Sequence, residues 1–239
     1  YWRDYLSGLA EGSRISLLGD GMDIAPENRV GEITRELEGD MTTRLMAYGG
    51  RHGLTMASVL QGAYLLIVGQ LSGRDDVVMG TTRAGRDSGD EREDRAVGLF
   101  INTLPLRAQI NLAEPLSLWL GRLQTDQAEQ MVHNHVQLAR VQKLAGLDVG
   151  AGLFEAMFVF ENYPLRLTND RFSSDLCLSA VTGFDGTHYP LFLQASGTER
   201  LHLRLSHDRR RVGSAEADTV IDLLLSLLQQ IAGANDDTT

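Results

Sequence analysis

Val97-Gly98-Leu99-Phe100-Ile101-Asn102-Thr103-Leu104-Pro105-Leu106-Arg107 is an apolar, turn-forming run with one amide side chain, Asn102, in its middle. A polar group inside an apolar segment needs a partner, because leaving it buried and unpaired costs about 1–3 kcal/mol. The bland account is an Asn bonding nearby backbone where a strand bends. The run ends in an extended stretch, Leu106 to Ile110. Just upstream, Asp76-Val77-Val78-Met79-Gly80-Thr81-Thr82 is short and β-branched, as a central strand should be. Between the two lies Arg83 to Arg95, rich in Arg, Asp and Glu, which reads as a solvated loop or as a flap beside a site.

Working outward, the pattern alternates helices with strands. Trp2, Tyr5, Leu6 and Leu9 are spaced for a short amphipathic helix, followed by a Gly- and Pro-containing connection over residues 12–29. A strand is expected over residues 29–37. Asp40 is the candidate N-cap of a helix from Met41 to His52 with Gly53 as its stop, and Thr55 the cap of a second helix, Met56 to Gln70, with Gly73 beyond it. Val59, Leu60, Ala63, Leu66, Ile67 and Leu71 form the second helix's stripe. Leu65 and Val68 widen it, so burial on most sides is expected.

Pro115 is suited to the first position of a helix running to about His133, with Leu118, Leu120, Leu123 and Met131 as core candidates. A second helical piece spans Val136 to Leu144 and stops at Gly146. Strands are then expected over residues 154–160, 176–181, 189–194 and 201–206, the last two joined around Gly197. Ser214 is the candidate cap of a final helix reaching Ile231. Helices on one face of a mixed sheet make an α/β sandwich.

The chain has 239 residues, 43% of them hydrophobic, enough for a sizeable core. A net charge of −10 argues against nucleic acid as a partner. One cysteine, Cys177, excludes a disulfide framework and fits a reducing cytoplasm. Nothing in the first residues reads as a secretion signal, and no apolar stretch approaches the roughly 18 residues of a membrane helix, so a soluble cytoplasmic protein is expected. The chain opens on Tyr1 and Trp2 without an initiator Met, which suggests a piece of something longer.

Chemistry is sparse. His133 and His135 are two apart and would splay by roughly 200° on a helix, so joint metal binding is not expected. His188 sits at a strand entrance, and His202 and His207 on or beyond the outward face of a hairpin; each reads as structural, with general-base service only a formal option. There is no phosphate loop, nucleophile elbow or dinucleotide fingerprint.

Several blocks, taken in order, carry a resemblance: Tyr1-Trp2, Arg51-His52-Gly53-Leu54-Thr55, the run Leu71 to Thr81, Gly85-Arg86, Val97 to Arg107, Phe158-Val159-Phe160-Glu161-Asn162-Tyr163-Pro164 and His188-Tyr189-Pro190-Leu191. Together they strongly resemble condensation domains of nonribosomal peptide synthetases, across nearly the whole chain. The resemblance implies a chloramphenicol acetyltransferase-like two-layer α/β sandwich. It also implies a tunnel between two lobes, where the amine of an acceptor attacks a donor thioester. Both substrates would arrive on the phosphopantetheine arms of carrier proteins.

The family's His-His-x-x-x-Asp-Gly motif belongs to the N-terminal lobe and is absent here. Residues 1–239 therefore resemble the C-terminal lobe alone, with 1–28 as lead-in helix and connecting segment and 233–239 as polar tail. No catalytic residue and no metal is expected in this chain, and it should not be active alone. By motif position Asn102, with Gly98, Phe100 and Thr103, would line the tunnel and orient substrate, and Arg86 would lie near the loop beneath it. Implied partners are the N-terminal lobe, donor and acceptor carrier proteins and a neighbouring adenylation domain; nucleic acid and membrane are not among them. Gln137 stands where relatives often carry Pro, which puts local backbone geometry in question. Two rivals remain: a nonreactive recruitment domain of the same fold, and an acyltransferase with its site between subunits.

Overall fold

A computed structural model describes residues 1–21, 23–83, 98, 100–147, 152–161 and 188–234. Six strands form one mixed sheet in the order β1-β6-β5-β4-β2-β3, where β1 is Val30–Glu36, β2 Asp76–Arg83, β3 Asn102–Gln109, β4 Ala156–Glu161, β5 Leu191–Ser196 and β6 His202–Asp208. The pairs β2/β4 and β4/β5 are parallel; the other three are antiparallel. The expected strand over residues 176–181 and the charged loop over 84–95 lie outside the described residues.

The helices are α1 (Trp2–Tyr5), α2 (Gly39–His52), α3 (Met56–Ser72), α4 (Leu116–Met131), α5 (Leu138–Leu144) and α6 (Ser214–Gly233). Helix α3 is apolar on nearly every side because it is packed between the sheet and the other long helices; Val59, Leu60, Ala63, Tyr64, Leu65 and Val68 are fully buried. Thr55 Oγ1 accepts from Ser58 N at 3.1 Å, as a capping residue should. Gly53 and Gly73 end α2 and α3 at φ of 65° and 66°, where a side chain would be strained.

The main core lies between this helical layer and one face of the sheet, taking Val77 and Met79 of β2. Val78, between them, points the other way, into a second cluster built by Trp2, Leu6 and Leu9 with Val141, Leu153 and Phe154. The lead-in segment therefore adds a layer of its own. Ser13 inserts where β4 has not yet begun: its N–H donates to Leu153 O, its carbonyl accepts from Glu155 N, and its hydroxyl accepts from Val78 N at 2.7 Å. A connection read from sequence as mere linker thus satisfies sheet backbone.

Several local expectations are corrected. Glu38, not Asp40, is the N-cap residue of α2, and it makes no side-chain cap bond; Asp40 instead pairs with Arg44 one turn on. Ser214 is the first residue of α6 behind Gly213, and its N–H and hydroxyl both donate to Asp20 from the lead-in segment. Those bonds, with Arg209 first among them, hold the Asp20 carboxyl at about 2, below its ordinary value. Leu118 and Met131 face solvent, 61% and 42% exposed, whereas Trp119 is buried. Strand β3 begins at Asn102, four residues before the expected extended stretch.

Candidate functional site

The signature run contributes β3, an edge strand whose only sheet neighbour is β2, with Arg83 opposite Asn102, Thr82 opposite Thr103 and Met79 opposite Leu106. Leu104 and Leu106 are fully buried. Phe100 and Thr103 are half-buried, and Gly98 and Ile101 exposed, so the run passes from open surface into the core at Asn102. Arg86 lies outside the described residues.

Asn102 does find partners, and they are not nearby. Its Nδ2 donates to Asn134 O at 2.7 Å and to Val136 O at 2.8 Å, on the connection between α4 and α5. Both of its N–H groups are thereby engaged, so the amide fastens that connection to the end of β3. The same connection is fixed from the other side by Trp2 Nε1, which donates to His133 O at 3.2 Å, and by Tyr1, whose ring stacks on His133 at 4.3 Å. Gln137, the departure from the family pattern, has φ of −63°, a value proline also holds, so the exchange leaves this backbone geometry intact.

An edge strand presents unpaired backbone groups, and here side chains take them. Gln130 Nε2 donates to Pro105 O at 3.4 Å, and Trp119 Nε1 to Gln109 O at 2.8 Å. The Tyr5 hydroxyl donates to Arg107 O at 3.1 Å and accepts from Arg107 N at 2.7 Å. Burial pushes the Tyr5 phenol above its ordinary range, so it stays protonated and able to donate. The Arg107 guanidinium clasps Asp76 through Nε–Oδ1 and Nη2–Oδ2, each 2.8 Å, and its Nη1 donates to Tyr5 O and Ser7 O. Sequence reading singled out none of these edge partners as functional. One signal was available: Leu120, Leu123, Gln127 and Gln130 recur at intervals of three, four and three, so the two glutamines continue a buried helical stripe. Gln127 Oε1 in turn accepts from Arg83 Nη2, at the end of β2.

The histidines fall apart as a group. His207, expected on or beyond an outward face, is buried, with Nδ1 2.7 Å from Val212 O; β6 turns into the tight bend after Asp208, which folds back over it. His202 is exposed beside Glu36. His133 and His135 lie in the turn after α4 rather than on the helix. Among the described residues no group of three or more His, Cys, Asp and Glu is placed to hold a metal, and no single helix is long and apolar enough to cross a membrane.

A six-stranded mixed sheet with its long helices on one face is the chloramphenicol acetyltransferase-like α/β fold. The profile of the family described as Condensation domain matches residues 1–238, and the chain belongs to that family. A linear gramicidin synthase of Brevibacillus parabrevis is 33% identical over 231 residues, covering 97% of this chain but 4% of that protein. A four-domain nonribosomal peptide synthetase bound to AMP and glycine superposes with a TM-score of 0.79 at 16% identity, over 97% of this chain and 19% of that one. The X-domain from teicoplanin biosynthesis gives 0.77 at 18% identity, over 97% of this chain and 53% of that one. The chain thus spans about half of that domain and a small part of the gramicidin synthase.

Proposed function

We propose that this chain is the C-terminal lobe of a condensation domain in a nonribosomal peptide synthetase, forming one wall of the tunnel in which an acceptor amine attacks a donor thioester to make an amide. The observation that carries the reading is the signature run, placed with Asn102 at the point where β3 leaves open surface and enters the core. The missing His-His-x-x-x-Asp-Gly motif and the 53% span of the X-domain support a single lobe. On this reading the catalytic histidine belongs to the N-terminal lobe. The substrates come on phosphopantetheine arms of donor and acceptor carrier proteins, an adenylation domain neighbours the lobe, and the setting is cytoplasmic.

Within that wall, Asn102 acts as a positioning residue. Its two donors are held by Asn134 and Val136, which leaves none for a tetrahedral intermediate, so its removal works through a displaced wall. Misplacement of that kind costs on the order of 10²-fold in rate. The test is dipeptide formation from aminoacyl-loaded carrier proteins, using the two-lobed domain, its Asn102→Ala variant and this chain alone. The two-lobed domain should turn over, the variant should be slowed with little change in carrier affinity, and the lone chain should be silent. Turnover by the lone chain would sink the single-lobe reading, and an unaltered rate in the variant would sink the role of Asn102. An inert two-lobed domain with intact motif would turn the reading to a recruitment domain.

A further inference from the structure

The connection that Asn102 fastens also forms one side of a hollow of about 710 Å³, closed on the other side by α1 and at its end by α5. Tyr1, Arg3 and Asp4 line it from α1; His133, His135 and Arg140 line it from the connection and from α5. Arg3 and Arg140 are exposed, and neither has an ion pair or hydrogen bond among the described residues. That sets them apart from most arginines described here. Arg35, Arg107, Arg122, Arg209, Arg210 and Arg211, for example, each sit against a carboxylate. In a chain of net charge −10, two guanidinium groups without carboxylate partners face one hollow that has a single acid, Asp4.

We propose that this hollow binds an organic phosphate, with Arg3 and Arg140 holding the phosphate oxygens from opposite walls and the stacked Tyr1–His133 ring pair supporting the organic part. A guanidinium presents forked donors that match phosphate oxygens, and charge-assisted bonds of this type are the strong ones. The volume far exceeds what a bare phosphate fills, so the ligand carries a further group. The wall is already in place: Trp2, Asn102 and the Tyr1 ring fix the connection before any ligand arrives, which lowers the cost of binding. The inference rests on the hollow's own groups and not on the tunnel reading.

The experiment is calorimetric titration of the protein with AMP, 4′-phosphopantetheine and inorganic phosphate, repeated with Arg3→Gln and Arg140→Gln. Both side chains are exposed, so unchanged thermal unfolding is expected of the variants and is measured alongside. At least one organic phosphate should saturate, bind more tightly than inorganic phosphate and weaken as salt rises. Each variant should lose about tenfold in affinity, the size of one charged hydrogen bond. Preference for AMP would place a base on the ring pair; preference for phosphopantetheine would place an extended arm there. Saturation by none of the three, equal binding of inorganic phosphate, or binding that survives both substitutions would overturn the proposal. None of these results bears on the effect of Asn102→Ala on condensation.

Discussion

Replacing Arg107 with Met tests the clasp that joins β3, β2 and the lead-in helix. The side chains of Arg107 and Asp76 are 13% and 21% exposed, so this pair is largely withdrawn from water. Met keeps the apolar stem but removes the two bonds to Asp76 and the two to Tyr5 O and Ser7 O, leaving a carboxylate and two carbonyls without their donor. Removing one partner of a buried pair costs about 3–5 kcal/mol, and the residual exposure places this one near the lower end. Against a total stability of about 5–15 kcal/mol the loss is large. It should appear in urea unfolding followed by circular dichroism and by the fluorescence of Trp2 and Trp119, both of which lie near the clasp. A cycle with Asp76→Asn isolates the pair itself, and coupling of about 1.5–3 kcal/mol is expected. Amide exchange at Leu6 and Leu9 should also quicken, since Arg107 holds the carbonyls at the end of α1. A loss under about 1 kcal/mol, or a cycle that returns no coupling, would refute the reasoning.

Other perturbations follow from single contacts. Asn102→Ala should destabilise the protein by about 1–3 kcal/mol, two neutral hydrogen bonds' worth. Asn102→Asp should be worse, because a carboxylate would face two carbonyl oxygens; chemical denaturation of both variants checks the order. A Cβ on residue 31 would stand 2.2 Å from His207 Nε2, so Gly31→Ala must shift a buried ring bonded to Val212 O. Overpacking of this type costs about 1–3 kcal/mol, read as a lower thermal midpoint. The depressed carboxyl of Asp20 contributes stability that is complete above its ordinary value of 3.8 and is lost as pH falls towards about 2. Asp20→Asn should therefore flatten the acid limb of a pH–stability profile between those values and leave its slope at neutral pH unchanged.

How much of this was legible in the sequence depended on the range of the contacts. Helix α3 was readable because cap, stripe and stop all lie within 20 residues of one another, and β6 because Leu203 and Leu205 alternate with exposed neighbours. What escaped were long polar ties. Asp20 meets Ser214 across 194 positions, Ser13 meets Val78 across 65, and Tyr5 meets Arg107 across 102. No local pattern records such a meeting. Leu118 was misplaced for a different reason. A leucine at helical spacing looks like core whichever face it occupies, and the buried face here is set by Trp119, Leu120 and Leu123 and continued by glutamines. Family resemblance supplied the tunnel expectation for Asn102 but said nothing of its partners.

Those partners change what the signature run does. Three outward positions of β3, at 105, 107 and 109, are taken by side chains from α1 and α4, so along that stretch the edge is closed to a further strand. A sheet that ends in this way can meet another body only through faces and loops. The connection over residues 132–137 is the loop presented beside that closed edge, and it is pinned by Asn102 from beneath and by Trp2 from above. Asn102 therefore acts one residue removed from whatever the loop touches. A substitution there should move His133 and His135 together while leaving the strand pairing of β2 and β3 in place.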